Sequence, residues 1–289
     1  MPQSSNYKIT VEDIILRDDR RGISFLRPYL PLSYCAKAAL SILNAPGTVF
    51  IVTGFYIANT NSPETDGPPG AVAIARTLTM LGYNVYFVTD QFSFSLLKNL
   101  SDIRNTTIEF PLTIYSRSQS FAKDLIDEYK PSVIISIERC GVTSHGTYLD
   151  MHGDDISDYN AKMDCLFDEH PNTIGIGDGG NEIGMGDYAD IISRSSKLAN
   201  KPCITKTTHT IISSVSNWGA YGLIVEISKM VKRNLLLSPN DEAKLIQRAV
   251  EHGAVDGVSK RREPSVDGFG LLENGKMLLV LHQYLGLTS

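Results

Sequence analysis

Short apolar runs alternate with helix-periodic segments along most of the chain. Residues 48–55 (TVFIVTGF) form the first continuous β-rich run. A run without polar alternation fits a strand covered on both faces, which points to a parallel sheet. Residues 84–88, 106–110, 132–137 and 173–176 repeat the pattern, and 203–205 or 209–212 supplies one more strand. Between them the apolar period changes from two to about 3.6. Ala71, Ala75, Leu78 and Leu81 share a helical face that Gly82 stops, and Phe121, Leu125 and Tyr129 share another that Pro131 ends. Tyr221, Ile224, Ile227 and Val231 mark a third. Helices are also predicted over 94–100, 157–167, 185–196, 239–252 and 268–285. Residues 7–43 read as mostly helical, with Val11, Ile14 and Ile15 on one face and Ser33 as a cap.

This β-loop-α repetition predicts an α/β fold: a three-layer, doubly wound sandwich with a mainly parallel, Rossmann-like sheet. One domain is expected over 1–289, with a helical N-terminal segment, 1–45, packed on it. Functional groups of such folds collect beyond the C-terminal ends of the strands. Four polar stretches belong there. After the first strand, Thr53 and Gly54 lead into a long loop with Asn59, Asn61, Glu64, Thr65, Asp66, Gly67 and Gly70, longer than a connector needs. Thr89-Asp90 ends the second strand and Glu138-Arg139 the fourth. The fifth runs into GIGDGGNEIGMG (175–186), which carries Asp178, Gly179, Gly180, Asn181 and Glu182. That many glycines exceed what a plain turn requires, and they allow a ligand to approach the main chain. Asn217 lies at the start of another helix, beside the single tryptophan, Trp218, which is expected in the core.

Composition narrows the function. The chain has 289 residues, 42% hydrophobic and 20% charged, with a net charge of −5. The acidic balance and the lack of a long Lys/Arg cluster argue against nucleic acid. No apolar run is long enough for a membrane span. Cys35, Cys140, Cys165 and Cys203 lack metal-site spacing and are expected as reduced core thiols. With no signal h-region, and with Glu12, Asp13, Asp18 and Asp19 too early for a transit peptide, a cytoplasmic location is expected ahead of the mitochondrial matrix. Arg20, Arg21 and Arg27 are expected as solvated charges, with one of them folding over a site as the alternative, and Lys260, Arg261 and Arg262 are expected to face solvent. The polar stretch 142–156 could form a lid.

Together the strand-end loops offer carboxylates (Asp66, Asp90, Glu138, Asp178, Glu182), one cation (Arg139) and main-chain donors at helix starts. An arginine and helix N-termini suit a carboxylate ligand. Crowded carboxyls raise one another's pKa and can divide acid and base duties, or they can hold a divalent cation, with Asp178, Glu182 and Asp66 as candidates. Sequence leaves both open. The GxGxxG match at 175–180 follows the fifth strand instead of the first, and its acids would repel a pyrophosphate, so no nicotinamide cofactor is expected.

The strings TGFYIANTNSPETDGPPGA (53–71), ISIERCG (135–141), GIGDGGNEIGMG (175–186) and SNWGAYGL (216–223) resemble the D-glutamate cyclase C-terminal domain family. The resemblance covers nearly the whole chain. It implies a lyase that reversibly dehydrates D-glutamate to 5-oxo-D-proline, with a small amino acid as its partner and room for a homo-oligomer. Against that activity, Asp178, Glu182, Asn181, Asp66 and Glu138 are the expected catalytic groups. Thr53, Gly54, Thr65, Gly67, Gly70, Asp90, Arg139, Gly179, Gly180 and Asn217 are expected to bind substrate. A metal-dependent hydrolase or lyase on another small acid, or a non-catalytic metabolite binder, are the alternatives.

Overall fold

A computed structural model describes residues 9–101 and 107–287. Residues 7–8 of the expected N-terminal helical region and Thr106 lie outside them. The central sheet has six parallel strands: β1 Thr48–Thr53, β2 Asn84–Thr89, β3 Thr107–Glu109, β4 Pro131–Ile137, β5 Thr173–Gly177 and β6 His209–Ile212. Their order is β3-β2-β1-β4-β5-β6, so the winding reverses between β1 and β4. A reversal of this kind opens a crevice at the strand C-termini, where ligands of doubly wound sheets sit.

The helices are α1 Val11–Ile15, α2 Tyr34–Leu43, α3 Pro68–Met80, α4 Gln91–Leu100, α5 Tyr115–Tyr129, α6 Asp164–Asp168, α7 Ala189–Ile192, α8 Ser216–Val231, α9 Pro239–Glu251 and α10 Leu271–Leu285. The unbroken apolar strands follow from burial on both faces. Val49 and Ile51 of β1 point into a large core shared with α1, α2, α3, α8 and α10, while Phe50 and Val52 point into a second core with α5 and α6. Burying a side chain of this size stabilises by about 1.5–3 kcal/mol. Trp218 is buried against Phe269, with its indole N–H on Asn274 Oδ1 at 2.8 Å. The four cysteines are buried and unpaired.

Several elements depart from their expected bounds. Residues 185–196 do not make one helix. A 3-10 turn, Gly186–Tyr188, and the four-residue α7 stand there, because Gly184 and Gly186 N–H are tied sideways to Thr205 O. The segment 157–167 yields only a 3-10 turn, Ser157–Tyr159, and α6, since it passes through the extended Asn160. The last strand is His209–Ile212, not 203–205. Residues 265–270 form a hairpin, Ser265–Val266 with Phe269–Gly270, around Asp267 and Gly268, both with positive φ. Asp-Gly is a favoured pair for so tight a reversal.

Candidate active site: a buried acidic cluster at the sheet edge

The β1–α3 loop and the start of α8 lock together. Asp66 accepts the first N–H groups of α8, Ser216 N at 2.8 Å and Asn217 N at 2.9 Å. Asn217 returns the contact: its Oδ1 accepts Gly67 N at 3.1 Å and Gly70 N at 2.8 Å, the free donors at the start of α3. Pro68 and Pro69 have no N–H to offer there. Each helix is therefore capped by the other's loop, and Asp66 also gains from the α8 dipole. Asn217 Nδ2 adds a bond to Thr65 O, and Thr65 Oγ1 bonds Ser265 O.

The glycine-rich loop after β5 caps itself. Glu182 turns back to accept Asp178 N at 3.1 Å, Gly179 N at 2.6 Å and Gly180 N at 2.7 Å. A nest of successive N–H groups is an anion-binding hollow, and here an internal carboxylate fills it. Gly180 has φ +100°, which favours glycine, and a Cβ on Gly179 would lie 2.3 Å from Met151 Sδ and displace that side chain. Asn181 Nδ2 bonds Leu149 O, leaving its buried Oδ1 without a partner.

Around these two loops the chain gathers carboxyls at near-zero exposure: Glu64, Asp66, Glu138, Asp178, Glu182 and Asp267. Oxygens of Asp66, Asp178 and Asp267 all lie within 4.8 Å of one another, and so do those of Glu138, Asp178 and Glu182. Asp178 belongs to both triads. Glu138 holds an uncommon left-handed backbone, φ 43°, and accepts Ser216 Oγ at 2.6 Å. Burial and the neighbouring charges push Glu64, Glu138 and Asp178 well up, with Arg21 pulling the other way. Burial, then the charge of Asp267, raises Asp66 from 3.8 to about 8. Carboxyls in such surroundings include protonated members at neutral pH. Either triad is built of hard oxygen donors that suit an ammonium group or a divalent cation.

The cation that meets this cluster is Arg21. Its guanidinium bonds Asp178 Oδ1 through one arm and Asp267 Oδ1, at 2.5 Å, through the other. Arg21 is therefore not the solvated charge expected from its place between Arg20 and Gly22; its side chain is only 19% exposed. Burial disfavours its charge, but Asp178, Asp267, Glu138 and Glu64 outweigh that and hold it firmly protonated. The other oxygens of the same two aspartates, Asp178 Oδ2 and Asp267 Oδ2, are buried with no hydrogen-bond partner among the described residues.

Arg139 and Asp90, expected beside the substrate, pair with each other at 2.6 Å, both 1% exposed. Arg139 also bonds Gly54 O at 2.7 Å and Ala161 O at 3.0 Å, and Asp90 caps α4 at Phe92 N. They pin the β1 and β4 ends together. Thr53 Oγ1, between those strands, is buried without a partner. Two surface hollows of about 420 and 350 Å³ lie along α3 and α9, and no residue of the acidic cluster lines either.

Two members escaped sequence reasoning, Arg21 and Asp267, and Glu64 was placed in the long loop without a site role. Asp267 had a signal, since VDGF at 266–269 marks a hairpin turn. Glu64 sits in the long loop, and Gly257 makes room for it: a Cβ there would lie 1.6 Å from Glu64 Oε1. Lys260 is half-buried, near enough for its charge to act on Glu64, whereas Arg261 and Arg262 are exposed.

Comparison with known proteins identifies the family. The family model "D-glutamate cyclase-like, C-terminal" matches residues 11–282. A human protein, "D-glutamate cyclase, mitochondrial", is 32% identical over 208 residues. That match takes in 65% of this chain but 33% of the human protein, so the chain spans about a third of its relative's length. Among the described residues, no helix is long and apolar enough to cross a membrane.

Proposed function

Since the chain belongs to the D-glutamate cyclase-like C-terminal family, we propose that it is a lyase that interconverts D-glutamate and 5-oxo-D-proline at the acidic cluster. The observation that carries this is the clustering of Asp66, Asp178 and Asp267, two of which, Asp178 and Asp267, keep a buried oxygen without a partner among the described residues. They are acceptors waiting for a cationic N–H donor, and the substrate's ammonium is one.

The chemistry asks for little more. The nitrogen must lose a proton before it can attack the γ-carboxyl carbon, forming N–Cδ as one Cδ–O bond breaks. Two protons leave the ammonium overall, and both end on the departing oxygen as water. A carboxylate of the Asp66–Asp178–Asp267 triad takes the first. Glu138, whose pKa burial and then the Glu182 charge push up, is the acid assigned to the leaving oxygen. General acid–base transfer of this kind contributes about 10²–10⁴-fold. Glu182 shapes the loop that carries Asp178, and Asn181 Oδ1 offers one more acceptor. A metal-dependent variant is the second reading, favoured by the two oxygen triads. There a divalent ion would polarise the γ-carboxyl.

NMR of the protein incubated separately with D-glutamate, L-glutamate and 5-oxo-D-proline, with and without EDTA, separates these. 5-Oxoproline formed from D-glutamate supports the proposal, and its loss with EDTA selects the metal variant. Binding without turnover would make the protein a metabolite binder and end the catalytic assignment.

A further inference from the structure

We propose that Arg21 is the substrate's α-carboxylate receptor, and that in the free protein it holds the place of the substrate's ammonium. The inference rests on the glutamate reading of the site and extends it to a residue in the N-terminal segment.

D-Glutamate brings one cation and two anions: the γ-carboxylate, which is the reacting group, and the α-carboxylate, which is the anion to be held. The anion needs a donor, and each backbone donor array at this edge already has an internal acceptor. Glu182 fills the 178–180 nest, Asp66 covers the start of α8 and Asn217 covers the start of α3. Arg139 commits both terminal nitrogens to Asp90, Gly54 O and Ala161 O, and its unpartnered Nε is sealed in a side chain only 1% exposed. Arg21 is different. It contributes one N–H from each arm to the aspartates, keeps further N–H groups of its planar fork, and is the most exposed member of the cluster at 19% against 0% and 3% for its partners. It lies between the carboxylates and solvent.

One cation then replaces another on the aspartates. The entering ammonium takes over Asp178 and Asp267, and the guanidinium released from them pairs with the α-carboxylate, a geometry that arginine forms bidentately. The turn that bears Arg21 stays put during the swing. Asp19 anchors it by accepting Gly22 N at 2.6 Å, Ile23 N at 3.2 Å and Ser24 N at 2.9 Å.

The test compares D-glutamate with its α-carboxamide, which keeps the amine and the γ-carboxylate but lacks the α-charge. The wild type should favour D-glutamate by about 30- to 100-fold in kcat/KM, the range of a charge-assisted pair. Arg21→Ala should erase most of that preference through KM, and added guanidinium ion should restore part of it. Arg21→Lys, which keeps the charge but not the fork, should fall between, and it serves if the alanine variant does not fold. A preference that persists in Arg21→Ala, or in Arg21→Lys at the wild-type level, overturns the assignment. If the wild type turns over neither compound, the catalytic reading fails by itself. Arg21 is then judged by calorimetry: affinity for D-glutamate should drop about 10-fold or more in Arg21→Lys, and equal affinity refutes the role.

Discussion

Two buried ionic groups share one sheet edge and are built on opposite principles. At the ends of β1, β2 and β4, Asp90 meets Arg139 one to one, and Arg139 also bonds Gly54 O and Ala161 O, with its buried Nε left without a partner among the described residues. Beside it, six buried carboxyls converge and Arg21 is the cation that bonds them, through Asp178 and Asp267. The first group balances its charge and ties strands together. The second leaves carboxylate oxygens without partners, a state that costs stability unless protons or a ligand's cation relieve it. Charge matching distinguishes a fastener from a site, although both were equal candidates by residue type and position.

That contrast can be broken or sharpened by experiment. The largest effect should come from Asp178→Asn in the excess-acid group. Turnover of D-glutamate should fall by about 10²–10⁴-fold while the chain stays folded, because the change removes repulsion as well as an ion pair. Unchanged turnover removes Asp178 from the chemistry. Arg139→Ala should act the other way round, costing about 3–5 kcal/mol in denaturant unfolding by stranding Asp90. A cost below about 1 kcal/mol would dissolve the distinction between the two groups.

A buried carboxyl outside both groups, Glu242 beside Tyr221, tests burial without crowding. Burial raises it from an ordinary 4.5 to about 8. Below 4.5 both folded and unfolded states hold the proton; between 4.5 and about 8 only the folded state does. Unfolding then releases a proton, so stability falls as pH rises and this contribution is gone above about 8. Glu242→Gln should flatten that decline by on the order of 3 kcal/mol, read from urea midpoints between about pH 5 and 9. Asn217→Ala should have the smallest effect, about 1–2 kcal/mol from the lost α3 cap. It should also loosen Gly67 and Gly70 amides in hydrogen exchange. Protection equal to wild type would show that the reciprocal caps do not hold the loop.

Much of the site was readable residue by residue. Asp66, Glu138, Asp178 and Glu182 were found because glycine-rich or charged stretches follow apolar runs, and folding brings all four together. Their individual duties were not readable. Glu182 looks like Asp178 in the sequence, yet it spends both oxygens on its own loop's N–H groups. Asp90 and Arg139 look like site residues because they end strands, yet each finds its counter-charge in the other.

Sequence alone determined the alternation of strands and helices, the parallel sheet and the edge on which polar loops would gather. Those properties come from local periodicity and from which faces must leave water, and a linear chain carries both. Tertiary structure decided which charges are compensated. Arg21 stands 157 residues before Asp178 and 246 before Asp267, and nothing along the chain links the three. Electrostatic pairing depends on distance in space and on the exclusion of water, and both exist only once the sheet, the N-terminal segment and the 265–270 hairpin have closed around the cluster.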